Sequence, residues 1–246
     1  STAACFVTAG AGVKIAKHGN KAISSSSGSA NVLESLGINI NKSVAASKSD
    51  IKNHNLGFMF APSYHPAMKY AMNVRNDLKL KTVFNILGPL CNPASVKSQA
   101  MGTFDKNLTE IQAKVLKNLG SKNVMTFCSD EGLDELTTTS TNKVTQFMNG
   151  GEIKSFEFEP ENIGLERSKI KDLKGGTPDE NAKIIIEMIK KNIKPTGTFI
   201  APPMMINMTK QNTFEEPVNQ IIKRMEEISN DDSVVSASFA LGFQFA

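Results

Sequence analysis

The chain has 246 residues, 40% apolar and 21% charged, the balance of a folded domain with a sizeable core rather than of a disordered or low-complexity segment. No run approaches the length of a membrane span and no basic-then-apolar leader precedes a cleavage site, so a soluble, cytoplasmic protein without a membrane partner is expected. A formal charge of +4 from scattered lysines suits small anionic ligands and supplies no basic stripe for nucleic acid.

In chain order, alanine-rich residues 2–12, with Phe6 and Val7 facing inward, read as a helix, and residues 13–16 as a short buried strand. A loop follows that carries Lys17, His18, Gly19, Asn20, Lys21, Ala22, Ile23 and then a serine cluster. It opens a helix over residues 28–36, with serine at its start and glycine at its end. Residues 42–55 read as a polar helix and 58–61 as a strand. Pro66 starts a helix running to about residue 80, since proline loses nothing where its N–H would be unpaired. Residues 82–86 read as a strand ended by the rigid turn Gly88-Pro89 to Asn92-Pro93. A strand (99–104), a helix (107–119) and a strand (123–128) come next, then two strands between 143 and 159 around the hairpin pair Asn149-Gly150. Residues 178–192 return to a helix with Ile184, Ile185, Met188 and Ile189 as its core stripe, and a polar helix is expected at 214–228. This alternation implies an α/β fold: a central, largely parallel (mixed) sheet with helices on both faces and ligands at the carboxyl ends of its strands.

Residues 17–37 have the layout of an anion site. Hydroxyls and backbone N–H groups wrap phosphate oxygens, a lysine neutralises charge, and a helix N-terminus adds its dipole. A plain flexible loop has the same composition, so composition leaves both readings open. Cys5, Cys91 and Cys128 are far apart and read as reduced thiols, mostly buried, and His18, His54 and His65 share no zinc-ligand spacing.

Read as a string, K-H-G-N-x-x-x-S-S-x-S-G-S-A-x-V-L-E-x-L-G over residues 17–37 resembles the phosphoribosyl-diphosphate loop of the anthranilate phosphoribosyltransferase family. Further stretches extend the resemblance in the same order: Phe58 to Met68, Val74-Arg75, Thr82 to Pro93, and Glu131-Gly132-Leu133-Asp134-Glu135. It covers residues 1–192 and implies an α/β domain of the nucleoside phosphorylase and phosphoribosyltransferase type. Residues 193–246 are left as the end of the same domain or a divergent tail. Relatives carry a small helical domain and a G-T-G-G-D loop upstream, so the chain is expected to be a fragment that pairs as a homodimer only when intact.

The resemblance implies transfer of a phosphoribosyl group from phosphoribosyl diphosphate to the amine of anthranilate, with Mg²⁺. It implies a donor site of Ser1, Thr2, Lys17, His18, Gly19, Asn20, Lys21, Ala22, Ile23, Ser24, Ser25 and Ser29, and an anthranilate site of Asn20, Arg75, His65, Tyr64 and Pro89. Ser1, Asp134 and Glu135 are the implied metal-linked residues, and no side chain is assigned as acid or base. Asn20 also suits a turn after Gly19, and Arg75 a solvent-facing helix position. Lys21 stands where the family commonly has arginine, and Asn31 where it has aspartate. A pyrimidine nucleoside phosphorylase would instead follow its lysine with Ser-Gly-Arg and Thr-Gly-Gly patterns. A nucleic-acid-binding paralogue that has lost catalysis would want a strong basic face.

Overall fold

The structure, a computed structural model, describes residues 1–10, 12–22, 27–78, 82–191 and 235–237. Among these, seven strands form one sheet: β1 (Ile15–Gly19), β2 (Leu56–Phe60), β3 (Ser98–Gly102), β4 (Asn123–Ser129), β5 (Asn142–Phe147), β6 (Lys154–Phe158) and β7 (Val235–Ala237). Their order is β2-β1-β7-β3-β4-β5-β6. The first five in that order are mutually parallel, and β5 and β6 add as an antiparallel hairpin. Asn149 and Gly150 turn this hairpin in the left-handed region, at φ 51° and 69°, which asparagine and glycine tolerate best.

Burial on both faces explains the strand sequences. Consecutive residues point to opposite sides, so Met101 and Val124 pack under helix α7 (Leu108–Asn118) with Ala113, Leu116 and Phe147. Their neighbours Ala100 and Met125 pack on the other face with Phe127, Val144 and Phe158. On the amino-terminal half, helices α1 (Thr2–Gly10), α2 (Ser29–Ser35) and α8 (Pro178–Lys191) meet through Ala3, Val32, Ala182 and Ile185. Helix α3 (Val44–His54) begins at Ser43, whose hydroxyl accepts from Ala46 N–H at 3.2 Å.

Several sequence expectations are corrected. The first strand runs Ile15–Gly19 rather than 13–16, because Lys17 and His18 are paired with Phe58 and Met59 of β2 and buried. Residues 82–86 do not form a strand: helix α6 (Phe84–Leu90) occupies the segment and contains Gly88 and Pro89. Its start is set by side chains, since Asn85 Oδ1 accepts from Thr82 N–H at 2.8 Å and Thr82 Oγ1 from Phe84 N–H at 3.3 Å, and these local bonds outcompete a ladder. The helix expected from Pro66 is split into a 3₁₀ turn (Pro66–Met68) and α5 (Lys69–Leu78), preceded by a short helix α4 (Ala61–Tyr64).

The inward face of α8 is Ala182, Ile185 and Met188, while Ile184 is 60% exposed; Val7 is likewise turned outward. Cys5 and Cys128 are buried free thiols and Cys91 an exposed one. The polar helix expected at 214–228 lies outside the described residues. No helix among the described residues is long and apolar enough to cross a membrane.

Candidate active site

Because β1, β2, β3 and β4 run parallel, the segments that follow them all emerge at one edge of the sheet. That edge gathers the implied residues from distant parts of the chain. Lys17, 2% exposed in β1, reaches its Nζ to within 3.2 Å of Ser1 Oγ, which accepts from it. The backbone nitrogen of Ser1 lies 3.0 Å from Glu135 Oε1, in the loop after β4. One residue on, Thr2 Oγ1 donates to Ser29 Oγ at 3.1 Å, tying the start of α1 to the start of α2. Cation, hydroxyls and carboxylate therefore form one polar cluster around the amino terminus of α1.

The backbone is shaped to permit this. A Cβ on Gly102 would stand 1.7 Å from the Asp134 carbonyl oxygen, so only glycine at the end of β3 lets the Asp134-Glu135 segment lie against it. A Cβ on Gly28 would meet Ala22 N at 2.4 Å, which fixes glycine where the loop closes on itself. Helix α2 is not capped by the serine expected at its start. Its Ncap is Gly28, and Asn31 Oδ1 accepts from Ala22 N–H at 2.9 Å and from Gly28 N–H at 3.2 Å. The sequence marks Asn31 only as a departure from aspartate; its position three residues after the cap is the signal for this second role.

Asn20 takes the turn role. Its Oδ1 accepts from Lys21 N–H at 2.8 Å and its carbonyl from Ala30 N–H at 3.2 Å. Lys21 pairs with Glu34 of α2 at 2.8 Å in a half-exposed bridge, away from the Ser1 cluster. Ile23, Ser24 and Ser25 lie outside the described residues.

A second group sits beside the first. His18 and His65 approach through their Nε2 atoms at 3.1 Å. Burial, then the neighbouring His65, and Lys17 as a smaller cause push the His18 imidazole down to about 4, against a hydrogen bond to the Gly88 backbone, so the ring is neutral at pH 7. Pro89 is buried at the end of α6, where its carbonyl accepts from Gln99 Nε2 at 2.6 Å. Asn92 Nδ2 donates to Ala16 O at 3.1 Å and pins the following turn to β1. The Tyr64 hydroxyl is buried with no hydrogen-bond partner among the described residues. Arg75 on α5 lies over the Phe84 ring, 5.5 Å from its centroid, and makes no ion pair among the described residues. Sequence reasoning does not single out Phe84, Asn92 or Gln99 as positioning residues; the Asn92-Pro93 dipeptide is the one local signal among them.

Glu135, Asp134 and the Ser1 hydroxyl are hard oxygen donors, and no cluster of three or more His, Cys, Asp or Glu occurs among the described residues. Such a set fits an Mg²⁺ ion that takes its remaining ligands from substrate phosphates and water rather than from a closed protein cage.

The sequence matches the model of the glycosyl transferase family, a/b domain, over residues 1–227. It is 40% identical to the anthranilate phosphoribosyltransferase of Petrotoga mobilis, with 93% of this chain and 70% of that one aligned. The chain belongs to the anthranilate phosphoribosyltransferase family. Another member, from Clostridium kluyveri, is 49% identical over 195 residues, and the chain spans 58% of its length. Among solved structures, the anthranilate phosphoribosyltransferase from Thermus thermophilus superposes with a TM-score of 0.75 at 34% identity, over 92% of this chain and 68% of that one. The Saccharomyces cerevisiae member, in complex with PRPP and Mg, gives 0.72 at 26% identity over 92% and 65%. The family match runs past residue 192, where the resemblance read from the motifs ends.

Proposed function

We propose that the intact protein transfers the phosphoribosyl group of phosphoribosyl diphosphate to anthranilate, giving N-(5-phosphoribosyl)anthranilate and pyrophosphate in tryptophan biosynthesis. The observation that carries this reading is the cluster of buried Lys17 with half-buried Ser1, Thr2, Ser29 and Glu135 at the carboxyl edge of a parallel sheet, in a chain of this family. A buried ammonium among hydroxyls suits an anion that replaces lost water, and a diphosphate supplies that charge.

In the reaction the C1–O bond to pyrophosphate breaks, a C1–N bond forms to the anthranilate amine, and one amine proton passes to water. The amine is already neutral at pH 7, so no side chain need act as its base. What the chain supplies is position and electrostatics. Lys17 and the Ser1, Thr2 and Ser29 hydroxyls hold the donor, together with the loop residues His18, Gly19, Asn20, Lys21, Ala22, Ile23, Ser24 and Ser25. Arg75, backed by Phe84, offers a planar fork to the anthranilate carboxylate. Tyr64, His65, Pro89 and Asn20 line the aromatic substrate's side. Ser1, Asp134 and Glu135 would hold Mg²⁺, which when bound neutralises charge developing on the departing pyrophosphate.

Residues 193–246 are assigned to the same domain; the pairing of Val235–Ala237 with β1 and β3 and the family match through 227 support this. A homodimer formed through the upstream helical part of the relatives, a cytoplasmic location, and no nucleic-acid partner complete the proposal. Phosphorus NMR of phosphoribosyl diphosphate with the protein and Mg²⁺ tests it. Pyrophosphate is expected only when anthranilate is added; release of equal amounts without it, or none with it, contradicts the transferase reading.

A further inference from the structure

Asp134 and Glu135 lie in the loop of residues 130–141 that joins β4 to β5, and a carboxylate on a loop is only as well placed as the groups that hold the loop. The last rung of the β4–β5 ladder beneath it pairs Ser129 with Asn142. Both residues are buried, at 1% and 0% exposure, and each bonds to one end of the carboxylate segment. At the first end Ser129 Oγ accepts from Leu133 N–H at 2.9 Å, while the Leu133 carbonyl accepts from Ser129 N–H at 3.0 Å. At the other end Asn142 Oδ1 accepts from Thr137 N–H at 2.8 Å, and its Nδ2 donates to the Thr137 carbonyl at 2.9 Å. Only Asp134, Glu135 and Leu136 lie between these two reciprocal pairs. Leu136 is packed in the core with Phe127 and Val144, and the Asp134 backbone rests on Gly102. Thr137 is itself buried, so water offers its N–H no substitute for the Asn142 oxygen. The same Nδ2 lies 3.4 Å from the Phe158 carbonyl, which ties the carboxamide to β6 as well.

We propose that Ser129 and Asn142 are positioning residues for the metal-linked carboxylates, their rung acting as a two-ended clasp that sets Asp134 and Glu135 beside Ser1. A carboxamide supplies a donor and an acceptor together, so Asn142 gives Thr137 the partners that a further backbone rung would give. Ser129 does the same for Leu133 with its hydroxyl and its own N–H. The clasp acts through the loop backbone, as groups that support metal ligands from behind do. Its effect on turnover rests on the phosphoribosyl-transfer reading; its hold on the loop does not.

Amide hydrogen exchange followed by NMR on this chain tests the clasp without any assay. Ser129→Ala is expected to speed exchange at Leu133 about tenfold, and Asn142→Leu to do so at Thr137, while amides in the middle of β4 keep the rates of the parent. Acceleration spread evenly over β4 and the loop, or none at either amide, overturns the clasp. If Asn142→Leu does not fold, Ser129→Ala, which removes a single oxygen, decides. In turnover by the protein extended to the length of its relatives, Ser129→Ala is expected to raise the Mg²⁺ concentration for half-maximal rate about tenfold and to leave the KM for anthranilate within about twofold. An unchanged Mg²⁺ requirement, or an equal rise in both quantities, overturns the positioning role. Absence of turnover in the extended parent counts against the transferase reading alone, since exchange at Leu133 and Thr137 still decides the clasp.

Discussion

Lys17 is the residue whose placement costs most and explains most. An ammonium buried in a strand is unfavourable unless its surroundings offer oxygens, and Ser1 Oγ stands 3.2 Å away. Lys17→Met keeps the volume and removes the charge. Donor affinity measured by calorimetry should fall about a hundredfold, ~3 kcal/mol, while the urea midpoint changes little, because a buried cation contributes little net stability. Gly102→Ala is the opposite case: its methyl collides with the Asp134 backbone, so it should cost about 2–3 kcal/mol in urea unfolding and weaken the Mg²⁺ dependence of turnover by displacing Glu135. At this scale the residue types of the site were legible in the sequence, since lysine, serines and a carboxylate pair suit one chemistry. That Lys17 and His18 lie within a strand was not, because their polarity reads locally as loop and only parallel pairing with β2 overrides it.

Helix α2 and helix α6 show how elements are decided by single side chains. Asn31 is the joint of the donor loop, holding two N–H groups at once. Asn31→Ala should cost about 1–2 kcal/mol by leaving both unpaired, whereas Asn31→Asp, with a charged acceptor near a helix N-terminus, should hold or raise stability by about 0.5 kcal/mol. Thermal unfolding of the two variants beside the parent distinguishes them, and equal losses would deny Asn31 this role. For α6, the β-branched Thr82 and Val83 favour a strand by propensity, while Asn85 and Thr82 satisfy the local backbone as a turn. Propensity lost to two hydrogen bonds that no periodicity signals. The alternation of helix and strand was otherwise legible, from turn residues and from apolar runs such as 123–128.

Across the whole molecule, five parallel strands collect the site at one edge, and the alternation of elements was enough to expect this. The position of β7 between β1 and β3 was not legible, because a three-residue strand far along the chain leaves no periodic signal. Stability should fall in acid through the same buried site. The His18 pKa is depressed when folded, so the unfolded chain binds the proton more readily, and stability present above about 6.5 is lost as pH falls through about 4. The loss amounts to roughly 3 kcal/mol, to be read as the difference between parent and His18→Asn in urea unfolding at pH 7 and pH 4. Glu110, Glu161 and Glu180, each held below the usual carboxylate range by hydrogen bonds, add acid loss of the same sign to both proteins and cancel in that difference.

The most direct test of the central claim is depletion of anthranilate fluorescence with phosphoribosyl diphosphate and Mg²⁺, run on this chain and on a version extended to the length of its relatives. Depletion by the extended protein that is lost in Arg75→Ala and Glu135→Ala is the predicted result. A folded, extended protein that leaves anthranilate untouched would contradict it.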